Sequence, residues 1–317
     1  PTQARPAKTS PPPLPGAVEA QAAVQNKTIY GGISHEYEWN NHWTTKTGVY
    51  GSVTNFENPT IRNYEVRDED NVGGRTDTQY SFDKNTWQGK FTFGGEYQYF
   101  FSPVEVYDNN SGVSGAIQSK DELTSQVFLL FLQADLDLPK DFYLTVGGST
   151  NFLKYDFKSL LDPVTEQQRK FDPVFSPRGA LLKKITSAIS IYGNVSKGFS
   201  PPTLAEVRPS AGTYNNSLNP ESGISIELGL RGSILKNQII FDINTYDFEL
   251  DETIVIQRTA DGAEYFVNAG KTSQKGLEAQ LSWLPNLNSR LISAFKLWGS
   301  YTYNHYRFVD YVQDGND

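Results

Sequence analysis

Few side chains in this sequence have the types and spacing that catalysis or metal binding requires. The three histidines, His35, His42 and His305, lie too far apart to match the spacing of a metal site. Ser196 lies in the sequence Asn-Val-Ser-Lys-Gly, which lacks the first glycine of a nucleophile elbow. The chain has no cysteine, so thiol nucleophiles and cysteine-bound metals are excluded. We therefore expect no catalytic residue, no bound metal and no cofactor.

Two acidic segments have a partial likeness to metal or acid–base sites. Residues 68–71 read Asp-Glu-Asp-Asn, but Val72 occupies the position of the third ligand in a calcium-binding loop. Asp247, Glu249 and Asp251 alternate along one run and could pair as carboxylates. Alternation places Asp247, Glu249 and Asp251 on one face of a strand, so we interpret them as its water-facing side. We interpret residues 68–71 as a solvated loop.

The polar connections contain arginine and tyrosine side chains that could bind a ligand without reacting with it. A guanidinium pairs with oxygen anions and a phenol donates a hydrogen bond, which suits an anionic, oxygen-rich chelate. Loops held on a rigid scaffold are a common place for such contacts. The candidate ligand-binding residues are Arg62, Tyr64, Arg67, Tyr107, Arg208 and Tyr214.

The elements that must position these residues are predicted to be β-strands joined alternately by short turns and by long polar loops. Bacterial outer-membrane barrels are built in this way, with short periplasmic turns and long extracellular loops. The predicted short turns are residues 40–43, 84–86, 139–141, 185–187, 235–237 and 285–290. The predicted long loops are residues 57–74, 102–122, 157–174 and 199–222.

The strand assignment rests on alternation of apolar and polar side chains. In residues 127–138, Phe128, Leu130 and Leu132 share one face, while Gln133 and Asp135 lie on the other. The predicted fold is therefore all-β, an antiparallel transmembrane β-barrel wall of about 12 strands. One run changes phase between Ile243 and Tyr246, which a β-bulge or a strand leaving the membrane would explain.

Two runs, residues 237–257 and 263–283, are about twice as long as a membrane crossing needs. The sequence Asp-Gly at residues 261–262 is a strong hairpin signal. We predict that this hairpin projects well outside the membrane.

Composition excludes several classes of protein. No stretch approaches the ~18 apolar residues that a spanning helix needs, and the mean hydropathy is −0.49. The net charge of −8 and the isoelectric point near 5.1 argue against a nucleic-acid partner. Aromatic residues make up 13% of the chain and concentrate where strands meet loops, as in the two interfacial girdles of a barrel.

The predicted domain organisation is a tail followed by one barrel domain. Residues 1–27 are rich in proline and alanine and are predicted to be a loop or tail, and residues 28–317 are predicted to be the barrel wall. The chain has no methionine and no signal peptide at its start, so we expect a fragment or a processed piece.

Several short segments in the second half of the sequence have the residues and order of a known family. They are residues 196–203, Ser-Lys-Gly-Phe-Ser-Pro-Pro-Thr, residues 218–221, Leu-Asn-Pro-Glu, and residues 265–272, Tyr-Phe-Val-Asn-Ala-Gly-Lys-Thr. With these segments the sequence resembles the barrel of TonB-dependent outer-membrane receptors. Residues 275–278, Lys-Gly-Leu-Glu, follow at a similar spacing, and residues 58–65 are similar to the iron-complex, or siderophore, branch. In this alignment Pro201 and Pro202 end strand pairing, because proline has no N–H to donate.

The resemblance implies a bacterial outer-membrane location and energy-coupled import of a ferric chelate. Family barrels have about 22 strands, so this chain would be part of a wall, without the plug domain. The implied partners are outer-membrane lipid, the ferric chelate, and the TonB-ExbB-ExbD system acting through the plug. Cobalamin and saccharides remain open as alternative ligands.

Three other classes of protein remain open from the sequence. A self-contained passive channel of 12–14 strands is the main alternative. A barrel lipase or protease would need a Ser-His or Asp-His pattern that the sequence does not show. A soluble β-sandwich would use much shorter strands.

Overall fold

A computed structural model describes residues 15–208, 214–258, 264–287 and 292–310. The described residues form fifteen strands and one short helix. The elements in chain order are β1 (Gln25–Glu38), β2 (Trp43–Pro59), β3 (Asn63–Lys84), β4 (Trp87–Asn109), β5 (Ser114–Leu138), β6 (Phe142–Ser159), β7 (Thr165–Lys170), β8 (Val174–Lys184), β9 (Ile189–Ser200), α1 (Leu204–Val207), β10 (Glu221–Ile234), β11 (Ile239–Asp251), β12 (Ile254–Arg258), β13 (Glu264–Asn268), β14 (Lys271–Trp283) and β15 (Leu297–Asp310).

Twelve of these strands form one continuous antiparallel sheet in chain order. The path runs β1-β2-β3-β4-β5-β6-β8-β9-β10-β11-β14-β15, and the short strand β7 pairs with the upper part of β6. Strands β12 and β13 form a separate hairpin. The prediction of an all-β antiparallel wall of about 12 strands is confirmed. Within the described residues β1 and β15 are the two edges of the sheet, and the side chains of both are exposed throughout.

The predicted domain boundary falls close to the start of the sheet. Strand β1 begins at Gln25, three residues before the predicted boundary at residue 28. Residues 1–14, with the proline-rich part of the predicted tail, lie outside the described residues. The division into a tail and a barrel domain stays a prediction.

Five of the six predicted short turns occur where alternation predicted them. The sixth, residues 285–290, lies in a longer connection between Trp283 and Leu297, part of which is outside the described residues. Two of the predicted long loops are mostly strand, and a third, residues 157–174, contains the end of β6 and all of β7. Strand β2 continues to Pro59 and β3 resumes at Asn63, so the first predicted long loop shrinks to three residues. The second shrinks to residues 110–113, because β4 and β5 extend towards each other. Above the membrane both faces of a strand meet water, so the alternating pattern disappears although the backbone ladder continues.

The phase change in β11 is not a β-bulge, which leaves the second explanation, a strand that leaves the membrane. Its pairing with β10 is regular from Ile239 to Asp251, and its pairing with β14 is regular up to Leu250, so no bulge is present. The apolar side chains pass from odd-numbered to even-numbered positions, because a strand outside the lipid need not keep its apolar side chains on the outer face.

The long hairpin predicted over residues 237–283 is interrupted on both sides. A break at Glu252 and Thr253 separates β11 from β12, and Ala269 and Gly270 separate β13 from β14. Gly270 has a φ of 106°, which a side-chain-bearing residue rarely adopts. The interruption bends β12 and β13 towards helix α1 instead of extending them straight outward. The predicted turn at Asp261 and Gly262 lies outside the described residues.

One face of the sheet is apolar and exposed along most of its length. Large apolar side chains that face outward include Ile33, Val49, Phe93, Leu132, Val146, Ile191, Leu228 and Leu281, all at least 40% exposed. The buried apolar residues lie in the upper part of the opposite face, in two small clusters. No helix among the described residues is long and apolar enough to cross a membrane.

Aromatic rings line the edge of the sheet that carries the short turns. Trp43 and Tyr80 have ring centroids 4.7 Å apart, and Phe82 and Trp87 have centroids 4.9 Å apart. Tyr80 and Phe82 join the two pairs, with centroids 6.2 Å apart. Amphipathic rings at this level are typical of a membrane interface.

Candidate functional site

Strand register separates an outer face from an inner face. On β4 and β5, Phe93 lies opposite Leu132 on the apolar face, while Thr92 lies opposite Gln133 on the polar face. The same polar face, followed upward, carries Val104, Val106 and Leu123, which are buried against residues of the loop between β9 and β10. The polar face is therefore the inside of the wall, which we call the lumen face.

Tyrosines on the lumen face cross a glycine on the neighbouring strand to reach the strand beyond. The Tyr50 hydroxyl passes over Gly73 on β3 and donates a 2.6 Å hydrogen bond to Oε1 of Glu96 on β4. Tyr192 passes over Gly229 in the same way and donates to Asp242 at 3.1 Å.

A third such tyrosine, Tyr246, passes over Gly276 and lies 2.8 Å from both Asn304 and Tyr306 on β15. Only glycine leaves room for a ring to lie flat against the sheet at these positions. Each tyrosine therefore ties three neighbouring strands together.

The chain leaves the wall after β9 and folds into the lumen. Pro201 and Pro202 follow the last paired residue, Ser200, as the sequence predicted. The Tyr155 hydroxyl on β6 donates a 2.7 Å hydrogen bond to the carbonyl of Pro202. Helix α1 follows, capped by Thr203, whose side chain accepts from the N–H of Glu206.

Residues 201–208 and 214–220, which we call the inward loop, fill the upper lumen. Val207 is 1% exposed and Leu218 is 2% exposed, and Val207 is buried in a cluster with Leu153 and Tyr155 of β6. Tyr214 stacks on Phe157 of β6 with centroids 5.1 Å apart, and burial raises the pKa of its phenol from 10.0 to about 12. This packing fixes the loop against β4, β5 and β6.

A buried ion pair anchors the loop. Arg208 Nε donates a 2.8 Å hydrogen bond to Oδ2 of Asp121 on β5, and its Nη2 donates to the same oxygen and to Ser119 at 2.9 Å. The two charged side chains are only 9% and 4% exposed. Burial of a charge is tolerated when a partner and further hydrogen bonds compensate, as they do here.

The inward loop and the wall enclose a cavity of about 440 Å³. This volume is within the ~300–1,000 Å³ range of small-molecule sites. It lies between strands β3 to β5, helix α1 and strand β13, and has polar and apolar walls. Its lining residues are Glu65, Arg67, Glu69, Phe100, Ser102, Val104, Leu123, Leu204, Ala205, Arg208, Glu264 and Phe266.

The structure brings two of the six candidate ligand-binding residues to this cavity. Arg67 and Arg208 both line it, on opposite sides. Tyr214 packs beneath it, against the same cluster that contains Val104. That any of these side chains contacts a ligand stays a prediction.

The other three candidates lie elsewhere. Tyr64 and Tyr107 face each other across β3 and β4 on the outer face, hydrogen-bonded to Glu57 at 2.8 Å and Glu105 at 2.5 Å. Arg62 lies in the exposed turn between β2 and β3.

Charge on the lumen face of the neighbouring strands is predominantly negative. Register from β2 to β5 places nine carboxylates and four cationic side chains on this face. The carboxylates are those of Glu65, Glu69, Asp77, Asp83, Glu96, Asp108, Asp121, Asp135 and Asp137, and the cations are those of Lys46, Arg67, Arg75 and Lys90. Sequence reasoning selected the arginines of this region and missed the carboxylates that pair with them. The available signal was the spacing of Glu65, Arg67 and Glu69, which places all three side chains on one face of a strand.

The acidic segments and the histidines do not assemble into a metal site. Among the described residues no group of three His, Asp or Glu side chains is arranged to hold a metal ion. The predicted calcium-like loop, residues 68–71, is part of strand β3 instead of a loop. Asp247 and Glu249 are paired with Lys275 and Lys271 at 2.7 and 2.8 Å on the outer face.

Above the apolar belt, the outer face carries compact ion pairs. Lys120 and Tyr107 both donate to the carboxylate of Glu105, and these two hydrogen bonds lower the pKa of Glu105. The charges of Glu105 and Lys120 therefore cancel on the outer face, and neither side chain lines the cavity.

The family model for the β-barrel of TonB-dependent receptor-like proteins matches residues 5–317. The chain belongs to this family. It is a bacterial outer-membrane protein, and its family and structural neighbours are transport receptors.

Relatives and solved structures agree with this membership. The ferric-pyoverdine BN7/BN8 receptor of Pseudomonas putida is 22% identical over 75% of this chain and 28% of its own length. The iron-regulated outer membrane virulence protein of Vibrio cholerae is 24% identical over 87% of this chain and 45% of its own length. The chain thus spans less than half the length of the curated relatives it matches.

Solved structures with the same fold include a siderophore receptor and a ferric-catecholate import receptor. PiuA from Acinetobacter baumannii superposes with a TM-score of 0.71 at 12% identity, covering 94% of this chain and 49% of that one. The ferric-catecholate import receptor Fiu from E. coli K12 has a TM-score of 0.69 at 13% identity, covering 93% and 50%. The β1-to-β15 sheet thus has the fold of about half of a receptor barrel.

Proposed function

We propose that this TonB-dependent receptor-like chain forms part of the wall of an outer-membrane receptor that imports a ferric siderophore or a similar iron chelate. The observation that carries the proposal is the inward loop. Residues 201–208 and 214–220 leave the wall, pack into the upper lumen and enclose a cavity of ligand size. A pore built for free diffusion would keep this space open.

The names of the relatives support the class of ligand. One curated relative is a receptor for ferric pyoverdine, and solved neighbours include receptors named for siderophores and ferric catecholates. Binding here uses charge, hydrogen bonds and shape, without covalent chemistry, so the proposed receptor is not an enzyme.

The proposed partners follow from the two faces of the wall. The exposed apolar outer face contacts outer-membrane lipid. The ferric chelate enters from the extracellular side. Transport is energised through TonB, which the family name supports, and ExbB and ExbD are the further proposed members of this energy-coupling system. Nucleic acid is not a partner, since the net charge is −8.

The proposal is tested by uptake of radiolabelled ferric siderophores into iron-starved cells that express the receptor. We expect saturable uptake that is lost when TonB is absent and reduced when Asp121→Asn loosens the inward loop. The alternative, a passive channel, predicts uptake independent of TonB together with steady conductance in a planar bilayer, and that combination would overturn the proposal.

A further inference from the structure

The two arginines at the cavity are already engaged by carboxylates. Arg67 Nη1 lies 3.4 Å from Glu65 and its Nε lies 3.3 Å from Glu69, so one guanidinium is shared by two acids. Its guanidinium carbon also lies 4.0 Å above the ring of Phe56. Arg208 is committed to Asp121 in the buried pair that anchors the inward loop. Both cations therefore already have acidic partners, by ion pairing alone for Arg67, whose Nε has no hydrogen-bond partner among the described residues, and by hydrogen-bonded ion pairing for Arg208.

The balance of charge around the cavity is therefore negative. Arg208 and Asp121 cancel, and Glu264 pairs with Arg258 at 2.8 Å. Arg67 cancels only one of its two carboxylates, which leaves an excess of one negative charge on the β3 wall. On the lumen face below, Asp77 and Glu96 share the single cation Arg75, which leaves one further excess negative charge. Because the site is partly closed to solvent, these charges act at reduced dielectric screening.

We propose that this cavity selects ferric chelates that are neutral or positively charged and disfavours strongly anionic ones. A ferric tris-hydroxamate fits this description, since three singly charged hydroxamates neutralise the iron and a pendant amine adds a positive charge. A tris-catecholate, whose ligands are doubly charged, leaves the complex strongly anionic. The proposal rests on the proposed function and deepens it by naming the chemical class of its ligand.

The residues that carry this selectivity are Glu65 and Glu69. Both lie on β3, face the cavity and have side chains 24% and 27% exposed. They act on the ligand by charge, and they also hold the Arg67 guanidinium so that it cannot swing towards an anion. Their replacement by glutamine keeps the shape of the wall and removes the negative charge.

The test compares two ferric chelates that share the same metal centre and backbone and carry opposite net charges. A linear tris-hydroxamate with a free terminal amine is cationic, and its N-succinyl derivative is anionic. Binding to the whole receptor that contains this chain, purified in detergent, is measured by quenching of tryptophan fluorescence and by ultrafiltration of radiolabelled iron. We expect the amine form to bind about tenfold more tightly than the succinyl form, with the difference shrinking at high salt.

Two variants locate the effect. The double variant Glu65→Gln with Glu69→Gln should bring the two affinities to within about threefold, since the nearest negative charges are gone. Glu105→Gln is the matched control, because Glu105 lies at a similar height on β4 but faces outward, and it should leave the tenfold preference unchanged. A heat-modifiable band on unboiled gels confirms that each variant is folded.

The outcomes separate the two proposals. If neither chelate binds, and a catecholate does not bind either, the proposed iron-chelate function fails. If ferric chelates bind but the succinyl form binds as tightly as the amine form or more tightly, the function stands and the charge preference is wrong. This comparison uses the unaltered chain, so it holds even if a variant does not fold.

Discussion

At the scale of single residues, the structure gives the same side-chain type different roles according to its surroundings. Arg208 is a structural anchor, because a buried partner fixes it, whereas Arg67 is held at the surface of a cavity between two acids. Tyr155 and Tyr214 are both buried phenols, but only the hydroxyl of Tyr155 has a hydrogen-bond partner among the described residues. These differences lead to two predictions.

Loss of Asp121 should destabilise the receptor far more than loss of an exposed acid. In Asp121→Asn the buried guanidinium of Arg208 loses its counter-charge, which costs about 3–5 kcal/mol of unfolding free energy. The control is Glu166→Gln, which breaks the exposed pair with Lys158 at a cost of about 0–1 kcal/mol. Urea unfolding in detergent, followed by tryptophan fluorescence, measures both. Equal losses would show that the Arg208–Asp121 pair does not hold the inward loop.

Removal of the two buried hydroxyls should have opposite consequences. Tyr155→Phe loses the hydrogen bond to the Pro202 carbonyl and should lower the unfolding free energy by about 0.5–1.5 kcal/mol. Tyr214→Phe removes a hydroxyl that is buried without a partner, so it should be neutral or stabilising. The two variants serve as each other's control in thermal unfolding. A destabilised Tyr214→Phe would mean that its hydroxyl has a partner such as bound water.

At the scale of elements, the wall is strengthened by side chains that span three strands. Tyr50 links β2 to β4 across Gly73, and Tyr192 links β9 to β11 across Gly229. Backbone ladders alone connect only nearest neighbours. The crossing tyrosines therefore stiffen the lumen face without apolar packing. Among the described residues, buried apolar clusters lie on this face only at its upper end.

A methyl group at the crossed glycine should break this link. In Gly73→Ala the new Cβ would lie 2.5 Å from Cζ of Tyr50, so the ring must move away from Glu96. We expect a loss of about 1–3 kcal/mol in unfolding free energy. Gly198→Ala on β9 is the matched control, because nothing lies within 4 Å of its Cβ position. The link is unimportant if both substitutions shift the thermal midpoint equally.

At the scale of the whole molecule, two surfaces of opposite character make the wall. The outer face is apolar and exposed, and the inner face is polar and closed at its upper end by the inward loop. A sheet with exposed apolar rows is unstable in water but matches a lipid environment. The two faces should therefore respond differently to the same substitution.

An arginine should be tolerated on one face and rejected on the other. Leu132→Arg puts a charge among the lipid-facing residues and should cost about 2–4 kcal/mol near the membrane midplane. Gln133→Arg is its neighbour on the lumen face, beside Asp135, and should be close to neutral. The yield of heat-modifiable protein after insertion into liposomes measures both. Equal yields would contradict the assignment of faces.

Alternation and motif spacing predicted the strands, five of the six short turns, the apolar face and the family. Each of these follows from local rules, because a strand in a membrane must alternate and proline must end pairing at Pro201 and Pro202. Sequence reasoning failed where lipid stops imposing alternation, so it read the upper parts of β2 to β5 as loops and left a bulge possible in β11.

Only the tertiary structure decided what the candidate arginines do. Arg208 and Asp121 are far apart in sequence, and nothing local predicts that they meet in the lumen. Tyr64 and Tyr107 face outward because the register of β3 and β4 sets their side, which a one-residue change would reverse. The charge of the cavity depends on which carboxylates the register brings beside Arg67, and long-range pairing, not composition, controls that.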